Sequence, residues 1–346
     1  MPIHVLIVDD SAVVRQMMTG IIGNAADMRV TVASDPIIAM QKMKSARPDV
    51  IVLDLEMPRM NGMTFLRTLM ASDPLPVVVC SGTRIALTAL EEGAVEVIAK
   101  PQHGIAEFLE DQRATILHAI RAAALARSSV VGRAAGPPSR APLARTGGPP
   151  AQRPAGGRPH DEPLIALGAS TGGTEALRAV LSAMPADSPP IVVVQHMPAL
   201  FTRAFAARLN DFCEIEVREA ADGDRVTPGL ALVAPGNQHM SIHRTSSGYI
   251  VQLSNSAPVA RHRPSVDVLF RSVARAARES AVGVLMTGMG ADGAEGLVDI
   301  RRGGGLTIAQ DEASSVVFGM PKEAIARGGA DRVLPLSRIA PALRSI

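Results

Sequence analysis

Residues 164–173 read LIALGASTGG, an apolar run that ends in a serine with glycines on both sides. The pattern G-x-S-x-G, between a strand and a helix expected to begin near Thr174, is typical of a turn that presents a nucleophile. Its glycines permit the sharp bend that would lift Ser170 to the rim of a sheet. The amide of Thr171 would then lie at a helix N-terminus, which favours a developing negative charge. A plain glycine-rich turn is the alternative interpretation of this pattern.

Two other kinds of glycine-rich site are excluded by the same residues. A Walker phosphate-binding loop, G-x-x-x-x-G-K-[ST], needs a lysine, which this stretch lacks. The dinucleotide fingerprint G-x-G-x-x-G needs its second glycine at the position of Ser170. The turn therefore matches neither phosphate-binding pattern.

Apolar strands alternate with helix-period stretches on both sides of this turn. After residue 160 the predicted strands include PLIALGAS, PIVVVQH, ALVAPG, AVGVLMTGMG and LTIAQDE, with GYIVQLSN as one arm of a hairpin. Before residue 127 they are HVLIVDD, RVTVASD, DVIVLDLE, LPVVVCSG and EVIAKP, each followed by a predicted helix. Strict alternation predicts parallel sheets that are covered by helices on both faces. We therefore predict two α/β domains, at 1–126 and 161–346, of which the second is doubly wound and mostly parallel.

The stretch between these two domains has a different composition. Residues 128–160 contain five arginines, no lysine and no acidic residue, together with Pro-Pro and Gly-Gly pairs. Such a segment cannot bury enough apolar surface to order itself, so residues 127–160 are predicted to form a flexible linker. The linker would be a solvated tether, or else an electrostatic dock for an acidic surface.

Composition restricts the class of protein and its location. Apolar residues make up 47% and charged residues 20% of the chain, which is typical of globular domains. No apolar run approaches the roughly 20 residues that cross a bilayer, and the N-terminus has no secretory pattern. Cys80 and Cys213 fall in different domains, which favours free thiols in a reducing cytosol. We therefore expect a cytoplasmic protein without membrane insertion.

A net charge of +2 and the lack of a basic recognition helix argue against nucleic acid as a partner.

Polar residues close the strands of the first domain at the edge where parallel sheets bind ligands. They are Asp9 and Asp10 after the first strand, Asp54 after the third, Ser81 after the fourth and Lys100 after the fifth. Converging carboxylates repel one another, and Mg²⁺ with oxygen ligands would relieve that repulsion. A carboxylate beside Mg²⁺ can attack a phosphoryl group, whose oxygens Lys100 and Ser81 would bind. Taken singly, each aspartate could instead cap a helix.

These residues stand in motifs that resemble the response-regulator receiver domain, over about residues 3–124. The motifs are LIVDDS, VLDLEMPRMNG, SG and AKP. The resemblance implies a flavodoxin-like (βα)5 fold, phosphorylation at Asp54 and a cis peptide bond before Pro101. Val97 departs from the family, which usually has an aromatic residue three positions before the lysine. This departure affects the rotating-aromatic form of signal transmission and not phosphorylation.

The receiver resemblance also implies a set of metal ligands. Mg²⁺ would be bound by Asp9 or Asp10, by Asp54 and by the backbone carbonyl of Glu56.

A serine is a weak nucleophile at its own pKa and needs a general base. His196 directly follows the strand PPIVVVQ, and hence lies on the same predicted rim as Ser170. His239, after ALVAPGNQ, is the nearest competitor. Position favours His196 as the base but does not exclude His239. His243 falls within a likely strand and His262 in an arginine-rich loop.

A carboxylate should orient the imidazole and stabilise its cation. The stretch GVLMTGMGADG ends a strand and turns through glycines to Asp292, while LTIAQDE offers Asp311. An aspartate in a glycine-rich turn often bonds only to its own turn. Spacing therefore leaves both carboxylates open.

Residues 161–346 resemble the catalytic domain of the chemotaxis protein-glutamate methylesterases, which are also protein-glutamine glutaminases. The matching motifs are ALGASTGGTEAL, VVVQHMP, EAADGDRVTPGLALVAPGNQH, RPSVDVLF, LMTGMGADGAEGL and AQDEASSVVFGMPKEA. The resemblance implies Ser170 as the nucleophile, His196 as the base and Asp292 as the orienting carboxylate.

The methylesterase resemblance further implies the oxyanion donors and the substrate. The donors would be the backbone amides of Thr171 and Met289, with His239 and Asp311 in structural or substrate-lining positions. The substrates would be methylated glutamates and glutamines of chemoreceptors, and the hydrolytic domain would need no cofactor. Phosphorylation by a chemotaxis histidine kinase would open a hydrolase site covered by the receiver. A serine hydrolase that acts on a small-molecule ester is the alternative enzyme class, and a nucleic-acid-binding output domain is the alternative non-enzyme class.

Overall fold

The computed structural model describes residues 1–58, 60–83, 85–100, 105–126 and 163–346, with the backbone alone for residues 105–112. The chain divides into two compact units, and the division falls between Pro138 and Ser139. The predicted linker at 127–160 and the predicted cis bond before Pro101 lie outside the described residues. No helix in the described part of the chain combines the length and the apolar character that crossing a bilayer requires.

The first unit is a five-stranded parallel sheet with helices between successive strands. The sheet order is β2-β1-β3-β4-β5, and its pairings are all parallel, as the alternation of apolar and helical stretches predicts. The elements are β1 Ile3–Val8, α1 Ala12–Gly23, β2 Met28–Ala33, α2 Pro36–Ser45, β3 Val50–Leu53, α3 Gly62–Ser72, β4 Val77–Ser81, α4 Ala86–Glu91, β5 Glu96–Ala99 and α5 Ile105–Leu125.

Polar caps begin three of these helices directly after loops at the carboxyl edge of the sheet. The side chains of Ser11, Asp35 and Asn61 each accept a backbone N–H from the first turn of α1, α2 and α3. Gly62, next to the third cap, passes so close to the backbone that an added Cβ would lie 2.1 Å from the Asp54 carbonyl oxygen. A glycine at this point therefore allows the loop after β3 to close tightly behind Asp54.

The second unit has a seven-stranded sheet and a separate three-stranded sheet. Its elements are β6 Leu164–Ala169, α6 Gly173–Leu181, β7 Ile191–Gln195, α7 Ala199–Phe212, β8 Glu216–Glu219, β9 Arg225–Val226, β10 Leu230–Val233, β11 His239–Thr245, β12 Gly248–Ser254, α8 Val266–Ala277, a 3₁₀ turn Arg278–Ser280, β13 Ala281–Leu285, α9 Ala294–Arg302, β14 Leu306–Gln310, α10 Met320–Ala326, β15 Arg332–Leu334 and α11 Leu336–Arg344.

The larger sheet has the order β15-β14-β13-β6-β7-β10-β8, and every pairing within it is parallel. Antiparallel pairing is confined to the small sheet β11-β12-β9, in which β12 is the hairpin arm predicted from GYIVQLSN. The prediction of a mostly parallel α/β domain is confirmed, with the antiparallel strands set apart as a sheet of their own.

The strand order places a topological switch point beside β6. From β6 the chain first builds β7, β8 and β10 on one side, and it then crosses to add β13 on the other side. In open parallel sheets, ligands bind beyond the carboxyl ends of the strands at such a point. The loops that follow β6 and β13 are therefore the expected position of a functional site.

Helix α8 supplies much of the core that supports this site. Its side chains Leu269, Phe270 and Val273 are completely buried, and they belong to one cluster with residues of β6, β13 and the small sheet. Phe270 is among the largest fully buried side chains of the chain. Burial of this apolar face fixes the helix against the sheet, and with it the helix N-terminus.

We expect Phe270→Ala to lower the free energy of unfolding of the second unit by about 3–5 kcal/mol, because it leaves a cavity in a fully packed core. The chain has one tyrosine and no tryptophan, so the emission of Tyr249 in a urea titration follows the second unit. Val333→Ala, at a side chain 47% exposed, is the control, with an expected change within about 0.5 kcal/mol. Equal losses in the two variants would contradict this account of the core.

Candidate functional site

Ser170 occupies the turn between β6 and α6, at the switch point of the larger sheet. Its N–H donates to the Thr287 carbonyl at 3.0 Å, which ties the turn to the loop after β13. Its carbonyl accepts the Gly173 N–H at 2.7 Å, where α6 begins. Gly172 has a φ of 77° and faces Val316, whose Cβ would lie 2.5 Å from an added Cβ. A side chain at 172 would be strained and would clash, so glycine is required for this turn.

His196 directly follows β7, and its backbone is joined to the turn of Ser170. The His196 N–H donates to the Ala169 carbonyl at 3.1 Å. Its ring Nε2 lies 2.8 Å from Asp292 Oδ2. The other ring nitrogen, Nδ1, is buried and has no hydrogen-bond partner among the described residues. The ring is therefore oriented by a carboxylate through Nε2, and Nδ1 is left to accept a proton.

The Asp292 carboxylate is buried at the N-terminus of α8. It accepts hydrogen bonds from the Ser265 hydroxyl at 2.7 Å, the Val266 N–H at 2.8 Å and the Asp267 N–H at 3.1 Å. Burial by itself would raise the pKa of Asp292, but the bonds from His196, Ser265 and the helix terminus outweigh it and lower the pKa to about 2. The carboxylate is thus ionised at neutral pH and forms a stable partner for the imidazole.

The two competing residues have other partners. His239 is buried, its Nδ1 accepts the Ser265 N–H at 3.2 Å, and its Nε2 donates to the Ala257 carbonyl at 3.1 Å. Both ring nitrogens are thus used by the backbone. Asp311 accepts the N–H and the hydroxyl of Ser314 at 3.0 and 2.6 Å, as a turn-capping aspartate does. The geometry brings His196 and Asp292 together and leaves His239 and Asp311 in structural positions.

The predicted oxyanion donors belong to two loops, with Thr171 in the turn of Ser170 and Met289 in the loop after β13. The Thr171 carbonyl accepts the Thr287 hydroxyl at 2.9 Å. Gly288 approaches the serine so closely that an added Cβ would lie 2.7 Å from Ser170 Cβ. The Gly288 carbonyl accepts N–H groups from Gly319 and Met320 at 3.0 and 2.8 Å. In a trans peptide the N–H of the next residue points the opposite way, so the Met289 amide is directed away from these partners.

Two residues of this site are missed by the sequence patterns. The His262 ring stacks on the His196 ring, with centroids 3.8 Å apart and planes 4° from parallel. Gln195 is buried beneath the turn and donates to the Ser170 carbonyl at 2.9 Å. The loop of His262 gives no sequence signal for this contact. Gln195, as the last residue of a strand beside the predicted base, could have been found from its position at the rim.

The first unit has a separate acidic cluster at the carboxyl edge of its sheet. Carboxylate oxygens of Asp9, Asp10 and Asp54 all lie within 4.8 Å of one another. The Lys100 ammonium lies 2.7 Å from Asp54 Oδ2 and 3.0 Å from Asp9 Oδ2. Burial raises the pKa of Asp9 despite its hydrogen bond to Lys100. Burial also acts to lower the pKa of Lys100, but its bonds to Asp54 and Asp9 raise it. Three convergent carboxylates fit a hard divalent cation such as Mg²⁺.

The other predicted residues of this cluster lie around the same edge. The Glu56 side chain is exposed and its N–H donates to Asp54 Oδ1 at 3.2 Å. The Ser81 hydroxyl is buried and accepts the Thr83 N–H at 3.1 Å. Val97 is buried in β5, so the position that is usually aromatic contributes to the core here. The structure thus groups Asp9, Asp10, Asp54 and Lys100, with Ser81 closing the neighbouring strand.

Comparisons with known proteins agree with this architecture. Residues 165–343 match the family model of the CheB methylesterase, and residues 5–110 match that of the response regulator receiver domain. The chain is 56% identical to protein-glutamate methylesterase/protein-glutamine glutaminase 1 of Anaeromyxobacter dehalogenans (strain 2CP-C), over 98% of both chains. It is 53% identical to protein-glutamate methylesterase/protein-glutamine glutaminase 3 of Geobacter metallireducens (strain ATCC 53774 / DSM 7210 / GS-15), over 98% of this chain and 97% of the relative.

A solved structure covers the second unit. The crystal structure of the Thermotoga maritima CheB methylesterase catalytic domain matches with a TM-score of 0.52 and 38% identity, over 53% of this chain and 98% of that chain. With the serine turn, the buried His196–Asp292 pair and the acidic cluster in place, the chain belongs to the CheB methylesterase family of hydrolases, with a response regulator receiver domain ahead of the hydrolase domain.

Proposed function

We propose that this protein hydrolyses glutamate γ-methyl esters and glutamine side-chain amides on the cytoplasmic helices of chemoreceptors, and so resets chemotaxis signalling. The single observation that carries the proposal is the 2.8 Å bond between His196 Nε2 and the buried Asp292 carboxylate, beside the Ser170 turn. The names of its relatives, protein-glutamate methylesterase and protein-glutamine glutaminase, support this choice of ester and amide. Both groups have a carbonyl carbon that an activated serine can attack.

In the first half of the reaction, the side chains at the switch point act as a Ser-His-Asp triad. His196 Nδ1 takes the proton of the Ser170 hydroxyl as its oxygen attacks the γ-carbonyl carbon. Asp292 keeps the Nε2–H in place and stabilises the imidazolium that forms. The tetrahedral oxyanion accepts hydrogen bonds from the backbone amides of Thr171 and Met289.

In the second half, the tetrahedral intermediate collapses and water restores the enzyme. His196 returns the proton to the leaving group, which departs as methanol from an ester or as ammonia from an amide. A water molecule then gives a proton to His196 and attacks the acyl-enzyme. As the second tetrahedral intermediate collapses, His196 returns that proton to Ser170 Oγ, which leaves a free serine and a glutamate side chain on the receptor. Hydrolysis needs no cofactor.

We propose that the first unit controls this hydrolysis through phosphorylation of Asp54 by a chemotaxis histidine kinase. Asp9, Asp10, Asp54 and the Glu56 carbonyl would hold Mg²⁺, which supplies charge neutralisation at the transferred phosphoryl group. Lys100 and Ser81 would bind the phosphoryl oxygens. The added negative charge would end the direct ion pair between Asp54 and Lys100, and it would shift the unit toward an activating conformation.

Ser170→Ala is expected to lower methanol release from methylated receptor membranes by at least about 10³-fold, because the variant lacks the hydroxyl that attacks the carbonyl carbon. The matched control is Ser345→Ala, at an exposed position in the C-terminal segment, with full activity expected. Substantial methanol release by Ser170→Ala would refute the assigned nucleophile.

Asp54→Asn is expected to abolish the stimulation of methanol release by a small phosphodonor and to leave basal release intact, because an amide cannot form the acyl phosphate. Asp73→Asn, at an exposed residue whose carboxylate pairs with Arg47, should retain the stimulation. Persistent stimulation of Asp54→Asn would show that another group accepts the phosphoryl.

The pKa of Asp292 predicts a pH dependence of stability. Its pKa is about 2 in the folded protein and ordinarily 3.8, so its ionisation stabilises the fold above the ordinary pKa. That stabilisation is lost as the pH falls from about 4 toward 2. The difference in unfolding free energy between wild type and Asp292→Asn should therefore shrink over this window in urea titrations. A difference independent of pH would contradict an ionised Asp292.

A further inference from the structure

Gln195 ends β7 and uses its side-chain amide to hold two carbonyl groups of the site. The Nε2 group donates to the Ser170 carbonyl at 2.9 Å and to the His196 carbonyl at 3.1 Å. A primary amide has two N–H donors, so both are used. The side chain is 1% exposed, and the two bonds are therefore made away from competing water.

The first bond determines the direction of a backbone N–H. The peptide between Ser170 and Thr171 is planar and trans, so its carbonyl and its N–H point in opposite directions. The Ser170 carbonyl is held by Gln195 Nε2 on one side and by the Gly173 N–H, at 2.7 Å, on the other. Fixing that oxygen also fixes the Thr171 N–H, which is the proposed oxyanion donor.

The second bond fixes the backbone of the proposed base. The His196 carbonyl accepts from Gln195 Nε2, while the His196 N–H donates to the Ala169 carbonyl at 3.1 Å. The His196 backbone is thus joined to the segment that carries Ser170 directly through its N–H, and its carbonyl is joined to that segment through the Gln195 amide. A single amide therefore links the oxyanion donor and the base.

The packing around the amide determines its orientation. An added Cβ on Gly173 would lie 2.1 Å from Gln195 Oε1, so a side chain at 173 would displace the amide. The reverse orientation would place Oε1 against two carbonyl oxygens, which cannot donate to it. The absence of a side chain at 173 and the two acceptors together define one arrangement.

We propose that Gln195 is a positioning residue for the hydrolysis, which aligns the Thr171 amide with the developing oxyanion and holds His196 in register with Ser170. This inference rests on the proposed function. The bonds of Gln195 reach no reacting atom directly, and its effect passes through the peptide of Ser170 and the backbone of His196.

The test compares full-length wild type with Gln195→Met, which keeps the length of the side chain and removes both N–H donors. Two quantities are measured: the second-order rate at which a fluorophosphonate labels Ser170, and kcat and KM for methanol release from methylated receptor membranes. Phosphonylation of the serine also develops negative charge on an oxygen that the oxyanion donors bind. We expect the labelling rate and kcat to fall about 10–100-fold, since small misplacements cost this much, with KM changed less than about threefold.

Ser272→Ala is the matched control for loss of a buried hydrogen bond. The Ser272 hydroxyl is buried in α8, accepts the Ile242 N–H at 2.9 Å and donates to the Leu269 carbonyl at 2.7 Å. We expect this variant to lose stability and to keep its labelling rate within about twofold. Where Gln195→Met does not fold, Gln195→Asn, whose amide is one methylene too short, provides the same comparison.

The outcomes separate positioning from stability and from the proposed function. An unchanged labelling rate in a folded Gln195 variant would overturn the inference, as would equal losses in that variant and in Ser272→Ala. Wild type that reacts at Ser170 but releases no methanol would overturn the proposed substrate, while a reduced labelling rate in Gln195→Met would still support the positioning role.

Discussion

The second unit depends on one buried charge, the carboxylate of Asp292, which accepts four hydrogen bonds at the start of α8. A carboxylate out of water is costly unless it is paired and fully hydrogen-bonded. Ser265 and the first N–H groups of the helix meet that need, and they leave one position for the His196 ring. The amphipathic packing of α8 thus sets where the imidazole is held, which links the hydrophobic core to the chemistry of the site.

Both units place their polar residues by the same rule of parallel sheets. In the first unit the ends of β1, β3 and β5 bring Asp9, Asp54 and Lys100 together, and in the second the ends of β6 and β7 bring Ser170 and His196 to one edge. The two edges differ in charge. One gathers carboxylates around an ammonium group, and the other holds a serine turn next to a histidine that is paired with a buried carboxylate. The same architecture therefore suits the proposed phosphoryl transfer in one unit and the proposed acyl transfer in the other.

The sequence was sufficient to predict most of the strands and their alternation with helices, but not the partners of individual side chains. Apolar runs predict β1 to β7, β10, β13 and β14, since each of these strands contains several aliphatic residues. The strands β8, β9 and β15 read EVRE, RV and RVL, and their charged residues leave no apolar run that would mark them. The choice between His196 and His239 also needed the fold, because only tertiary contacts show that the backbone uses both nitrogens of His239. His262 reaches the site from a loop, and no local pattern encodes its stack on His196.

The close approach of Gly288 to Ser170 affects how such an enzyme can be adjusted. The space between Gly288 and Ser170 is too small for a methyl group, so the serine turn and the loop after β13 pack together as one unit. Two loops packed this closely need little rearrangement as charge develops on the substrate, and they leave little room for a larger side chain. A change of specificity, by evolution or by inhibitor design, is therefore easier in the surroundings that admit a peptide side chain than in these two packed loops.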